Sequence, residues 1–157
     1  MMKQPYPLIV DLTNRRVAVI GGGKVAARKI KKLVAAGARP TVISPQLNPQ
    51  IERQQIDWQP TTYRRELVEE MDMIWACTDD PKVNAQVKAE ATHFQLVNNT
   101  SDKQHSDFYN LATVMVEDLL IGISTQGTSP RRAKQIKKEL ITWLKNRHGK
   151  ESDKPCI

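Results

Sequence analysis

Arg16-Val17-Ala18-Val19-Ile20-Gly21-Gly22-Gly23-Lys24-Val25-Ala26-Ala27-Arg28-Lys29-Ile30-Lys31-Lys32-Leu33-Val34-Ala35-Ala36-Gly37 is the stretch on which the fold turns. After Arg16 come four apolar residues rich in β-branched side chains, and three glycines follow at once. That predicts a buried strand ending in a tight turn. From Lys24 to Ala36 the apolar positions Val25, Ala26, Ile30, Leu33 and Val34 recur at helical spacing, with Lys and Arg between them. Gly37 then stops the pattern as a C-cap, so the segment is an amphipathic helix. Thr41-Val42-Ile43 supplies a second strand closed by Ser44-Pro45. Strand, glycine turn, helix and strand in so short a span make a right-handed, parallel βαβ unit.

The alternation continues outward. Ile56 and Trp58, within Gln55 to Tyr63, suggest an outer strand; Met73 to Cys77 reads as a buried strand, Pro81 to Phe94 as a helix, and Gln95 to Asn98 as another strand. The expectation is α/β: a Rossmann-like, doubly wound parallel sheet. Thr100 to Asn110 is polar and reads as a loop. Leu111 to Val116 and Leu119 to Thr125, separated by Glu117-Asp118, predict a β-hairpin. Ser129 and Pro130 suit the N-cap and first position of a helix running to about His148. The expected division is residues 1–110 as a dinucleotide-binding domain, 111–148 as a hairpin and long helix, and 149–157 as a disordered tail.

A chain of 157 residues, 39% apolar, holds one compact domain of this kind and excludes a large multidomain enzyme. The longest apolar run, Met73 to Cys77, is far short of the ~18 residues that cross a bilayer, and MMKQPYP lacks the apolar stretch of a signal peptide. Cys77 and Cys156 form no disulfide or metal pattern, so a soluble, cytoplasmic protein is expected. The net charge of +7 is concentrated: residues 14–51 carry eight Lys/Arg and no acid, and residues 130–148 carry seven with one acid. Such segments attract polyanions, unless they are simply solvated helix faces. The eight aromatics are not clustered with the basic stretches, which argues against a nucleic-acid module. His93, His105 and His148 have no spacing that builds a three-ligand metal site; His105, three positions from Asp102 in the same loop, reads first as a surface residue, with a proton shuttle or a metal contact in a chelatase step as the alternative.

Gly21 to Ala26 matches G-x-G-x-x-A in its proper place, after a strand and opening a helix. Gly21 permits the turn, Gly23 lets backbone amides approach a pyrophosphate, and Ala26 packs close on the sheet. The alternative is a glycine turn that serves packing alone. The acid that usually follows about 20 residues later is replaced by Ile43-Ser44-Pro45-Gln46. Ser44 or Gln46 is left to meet the ribose, and with no Arg for a 2′-phosphate, NAD is favoured over NADP. At the next carboxyl-edge turn Thr78 is a phosphate or ribose donor, while Asp79 and Asp80 suit helix capping. Asn98 and Asn99 end the last strand, near where a nicotinamide would lie.

These motifs, with Gly37-Ala38, Thr78-Asp79-Asp80, Asn84, Asn98 to Asp102, Asp107-Phe108 and Ile123 to Pro130 in order, resemble the precorrin-2 dehydrogenase family, also found as the N-terminal part of siroheme synthases. The likeness spans about residues 6 to 145. It implies oxidation of precorrin-2 to sirohydrochlorin with NAD, on the way to siroheme, and a homodimer built through the segment after the sheet; some relatives also insert iron. The resemblance puts the catalytic aspartate on Asp102. It puts cofactor contacts on the glycine turn with Lys24 and Val25, and on Pro45 and Gln46. Contacts to the tetrapyrrole fall on Ser124, Thr125, Gly127, Thr128 and Ser129. Forming a conjugated double bond requires hydride departure and proton loss, so a carboxylate there makes chemical sense. The competing reading of Asp102 is a loop aspartate in an Asx turn. The chain departs from the family where Leu111-Ala112 replaces Pro-Ala and where Gln126 replaces a glycine. A second function class, a dinucleotide-sensing regulatory domain without turnover, would need neither Asp102 nor the Ser124 to Pro130 loop.

Overall fold

A computed structural model describes residues 5–126 and 128–151. They divide into two compact units, Pro7–Tyr109 and the remainder. The first unit is built on β1 (Val17–Ile20), α1 (Lys24–Ala35), β2 (Thr41–Ile43), β3 (Asp57–Gln59), β4 (Met73–Ala76), α2 (Pro81–Glu90) and β5 (Leu96–Asn99). All strands are parallel, in the order β3-β2-β1-β4-β5. The strand order reverses beside β1, and it is at such a switch point that open α/β sheets bind ligands.

Every side chain of β1 and of β4 is buried, as expected of strands covered on both faces. Alternate residues serve opposite layers. Val17, Val19, Met73 and Trp75 pack with Ala26, Ile30 and Leu33 of α1, whereas Ala18, Ile20, Ile74 and Ala76 pack with Val87 of α2. The helix α1 ends as expected: Gly37 takes φ +85°, its amide donates to the Val34 carbonyl at 3.0 Å, and the Ala38 amide reaches Leu33 at 3.0 Å. That is a Schellman cap, with Ala38 and Leu33 in one cluster.

The second helix is shorter than its sequence suggests, stopping at Glu90 rather than Phe94. Ala91 is extended (ψ 140°) because buried Gln95 captures the chain. Its amide nitrogen donates to the carbonyls of Val68 (2.6 Å) and Met71 (2.9 Å), and its oxygen accepts from the Thr92 amide at 3.1 Å. The last strand accordingly starts one residue later than expected and includes Asn99.

The outer edge of β5 is closed by the loop that follows. Asp107 accepts from the Val97 amide and donates its own to the Val97 carbonyl, both at 2.8 Å, and Ser106 Oγ accepts from the Asn99 amide at 2.9 Å. The edge is thus blunted and residues 100–107 are fastened at both ends.

In the second unit, β6 (Ala112–Val116) and β7 (Leu119–Ile123) form the hairpin around Glu117-Asp118, and α3 runs over Pro130–Glu151. Ser129 Oγ accepts from the Arg132 amide at 3.2 Å, an N-cap bond. The helix continues through Gly149, where the sequence predicts a tail; residues 152–157, with Cys156, lie outside the described residues. Gln126 takes φ +51°, which explains why a glycine suits this position. Gln126→Gly is expected to relieve about 1 kcal/mol of backbone strain, read as a higher urea midpoint with an unchanged slope.

Candidate active site

Because the strands are parallel and in register, Ile20, Ile43, Gln59, Ala76 and Asn99 end level with one another. The loops that leave them share one rim. On it lie the glycine turn, Ser44 to Gln46, Thr78 to Asp80, and the loop from Thr100.

The three glycines have different duties. Gly21 takes φ +110°, and a Cβ there would lie 2.7 Å from the Cys77 carbonyl oxygen. At Gly22 a Cβ would lie 2.0 Å from the Gln46 carbonyl oxygen and 2.6 Å from Ser44 Oγ. Those two positions are closed by backbone packing. A Cβ at Gly23 would meet nothing within 4 Å. Gly23 is the N-cap of α1 without a side-chain cap, and the first turn has no acid, so the amides of the helix end face an open approach. Lys24 and Val25 open that helix and are exposed. Beneath the turn, burial pushes the Cys77 thiol up to about 11, a neutral thiol, and burial pulls the Lys29 amine down.

Ser44 is buried and turned inward, donating to the Gln46 carbonyl at 2.5 Å, while Pro45 and Gln46 are exposed. The ribose contact expected of Ser44 or Gln46 therefore has only Gln46's side chain at the surface. The Thr78 hydroxyl has acceptors within the protein, Asn84 Oδ1 at 2.8 Å and the Asp80 carbonyl at 2.9 Å. Asp80 caps α2 through the Lys82 amide at 2.8 Å. Fully buried Asn84 is a tie: it accepts from the Thr78 amide and hydroxyl, donates to the Thr78 carbonyl at 3.0 Å, and donates to Ser101 Oγ at 2.5 Å. Asn84→Ala is expected to cost about 1–3 kcal/mol by orphaning these groups, measured as a drop in the urea unfolding free energy.

Asn98 and Asn99 face opposite ways. Asn98 is buried on the α1 side, its amide donating to the Phe108 carbonyl (2.7 Å) and its oxygen 3.4 Å from Lys29 Nζ. Asn99 Oδ1 instead accepts the amides of Ser101 (2.9 Å) and Asp102 (3.1 Å), so it shapes the next loop. Asp102 Oδ1 accepts from the Gln104 amide at 2.8 Å, an Asx turn, and Oδ2 lies 2.7 Å from His105 Nδ1. The bond from His105, then that from Gln104, holds the Asp102 carboxyl below its ordinary value. Asp102 and His105 line a depression of about 410 Å³ with Asn99, Ser101 and residues of α2. His105 is exposed, as the sequence reading expects, and its three-residue spacing from Asp102 is the signal for their contact. Asn84 and Asn99 were unread as scaffold groups.

In the other unit, Ser124 Oγ accepts from the Gln126 amide at 3.0 Å, Thr125 Oγ1 donates to the Ser129 carbonyl at 3.0 Å, and Thr128 Oγ1 donates to the Thr125 carbonyl at 2.6 Å. The hydroxyls of this turn thus fold it on itself. Gly127 lies outside the described residues. Among the described residues no group of three His, Cys, Asp or Glu could hold a metal ion, and no helix is long and apolar enough to cross a membrane.

A family described as putative NAD(P)-binding matches residues 8–112. Precorrin-2 dehydrogenase of Bacillus subtilis is 33% identical over 134 residues, covering 83% of either chain. Siroheme synthase of Chromobacterium violaceum is 31% identical over 150 residues, covering 92% of this chain and 32% of that one. Against siroheme synthases of that kind, this chain spans about a third of the length. Among solved structures, SirC, precorrin-2 dehydrogenase, superposes with a TM-score of 0.79 at 32% identity, covering 88% of this chain and 70% of that one. A parallel sheet with an open glycine-led helix end, together with likeness on this scale, places the chain in the family of precorrin-2 dehydrogenases and siroheme synthase N-terminal domains.

Proposed function

We propose that this chain oxidises precorrin-2 to sirohydrochlorin, with NAD as the hydride acceptor. The observation that carries the reading is the uncapped, acid-free end of α1 at Gly23, where an added Cβ would meet only open space, on the same rim as Asp102. Such a helix end suits a pyrophosphate. Residues 1–110 act as the cofactor domain. Gly21, Gly22, Gly23, Lys24 and Val25 hold the diphosphate; Pro45 and Gln46 flank the adenosine ribose, with Ser44 bracing them from beneath. Thr78 offers its oxygen to the cofactor, and Asn98 acts from the buried side by fixing Lys29 and Phe108. When bound, NAD supplies a carbon that accepts two electrons as hydride. The chain's own part is to hold the macrocycle and to take the proton that is lost, which falls to Asp102 and the group it pairs with.

The multiply carboxylated macrocycle suits the basic segments, and its contacts fall on Ser124, Thr125, Gly127, Thr128 and Ser129. The 111–148 segment is the dimerisation element. Met115, Leu119, Leu120 and Trp143 leave apolar surface exposed there, which a second copy of this chain covers. A reducing, cytoplasmic setting suits a chain of two cysteines with Cys77 held as a thiol.

Anaerobic incubation with precorrin-2 and NAD, followed by visible spectrum, is expected to yield sirohydrochlorin with one NADH per macrocycle. NAD binding with no product would favour the sensing domain instead. Metal-dependent loss of sirohydrochlorin absorbance in a separate incubation without NAD would add a chelatase step.

A further inference from the structure

We propose that His105 is the proton acceptor of this reaction and that Asp102 acts through it, as the group that fixes its tautomer and orientation. The inference rests on the functional reading above and goes one step further into its chemistry.

The geometry is specific. A carboxylate only accepts, so the 2.7 Å contact between Asp102 Oδ2 and His105 Nδ1 places the hydrogen on Nδ1. Nε2 is then left with its lone pair. Asp102 is itself held: Oδ1 by the Gln104 amide, its backbone amide by Asn99, and its carbonyl by Ser106 Oγ at 3.1 Å. A carboxylate committed in this way, with its carboxyl below the ordinary range, is a poor base near neutral pH. An imidazole changes charge between pH 5 and 8, the range in which a general base works best. The imidazole is 70% exposed beside the depression it lines with Asp102, so a substrate can reach it.

Among the described residues that line the depression, Asp102 is the one carboxylate. From α2, Pro81, Ala85 and Ala89 are uncharged, and Lys88 Nζ is bound to both oxygens of Asp107 at 2.6 and 2.8 Å. From β5 the depression receives the neutral amide of Asn99. Asp102 is therefore the carboxylate that His105 answers to. In the oxidation, one C–H bond of the macrocycle breaks with its electron pair, accepted as hydride by NAD. A second hydrogen leaves as a proton to Nε2, its bonding pair becomes the new double bond, and the imidazolium beside Asp102 returns the proton to solvent.

The test uses the whole chain. His105→Gln and His105→Ala are expected to lower kcat by about 10²-fold or more, with KM and NAD binding close to wild type, and with the acidic limb of the rate profile lost. Added imidazole restores turnover to His105→Ala. Independently of activity, nitrogen NMR of the cofactor-free protein is expected to show the Nδ1–H tautomer in the wild type and its loss in Asp102→Asn. Turnover of His105→Ala within a few-fold of wild type, or an Nε2–H tautomer in the wild type, overturns the proposal. A wild type that binds NAD yet never oxidises precorrin-2 overturns the functional reading instead, and the tautomer measurement still decides the pair.

Discussion

Alanine in place of Asp102 is expected to lower the turnover of precorrin-2 by about 10²–10⁴-fold, the range associated with a positioned acid–base group. NAD should bind as before, because no bond joins Asp102 to the glycine turn: its partners are Asn99, Gln104, His105 and Ser106. The loop itself should survive, held by Asp107 on Val97 and by Asn84 on Ser101. Stopped-flow hydride transfer and an NAD titration on the same preparation separate the two effects. Unchanged turnover would remove Asp102 from the chemistry. The pH sign follows from the lowered carboxyl. A carboxylate with a depressed folded value has its pairing intact above the ordinary carboxylate range, near pH 4. It loses that pairing as pH falls through the lowered value. Activity lost well above that range is then not a property of Asp102.

Two alanine substitutions one residue apart should fail in opposite ways. Gly22→Ala drives a methyl against the Gln46 carbonyl and Ser44 Oγ, at 2.0 and 2.6 Å, where backbone and a buried hydroxyl must move. It is expected to cost about 1–3 kcal/mol of stability, seen in urea unfolding without any ligand. Gly23→Ala meets open space at a φ of −79°, so stability should change by less than about 0.5 kcal/mol. Its methyl would stand in the approach to the α1 amides. NAD affinity is expected to fall at least about tenfold, equal to 1.4 kcal/mol, by calorimetric titration. A Gly23→Ala protein that binds NAD as tightly as wild type would place the diphosphate elsewhere.

The path from Arg16 to Ile43 was legible because its signals are local. Hydrophobic period, glycine turn and C-cap glycine agree with one another, and each acts within a few residues. The hairpin and the start of α3 were legible for the same reason: a two-residue turn between apolar runs, and Ser129-Pro130 at a helix entrance. The end of α2 was not, because Gln95 stops it by bonding Val68 and Met71, more than 20 residues away. That error moved β5 by one residue. The sequence reading put both Asn98 and Asn99 on the rim; in the structure the Asn98 side chain lies on the α1 side, and Asn99 shapes the Asp102 loop.

The sequence by itself determined the sheet, its handedness and the phosphate-accepting character of the first helix, since strand burial, glycine freedom and helix capping are short-range properties of the chain. Tertiary structure alone decided which atoms remain available. Ser44 turns inward, Thr78 is tied to Asn84, and Asp102 is joined to His105, because a buried or edge-facing polar group takes the nearest partner that folding delivers. Residue types can therefore name the chemistry of a rim, while only the completed hydrogen-bond network says which side chain is left to perform it.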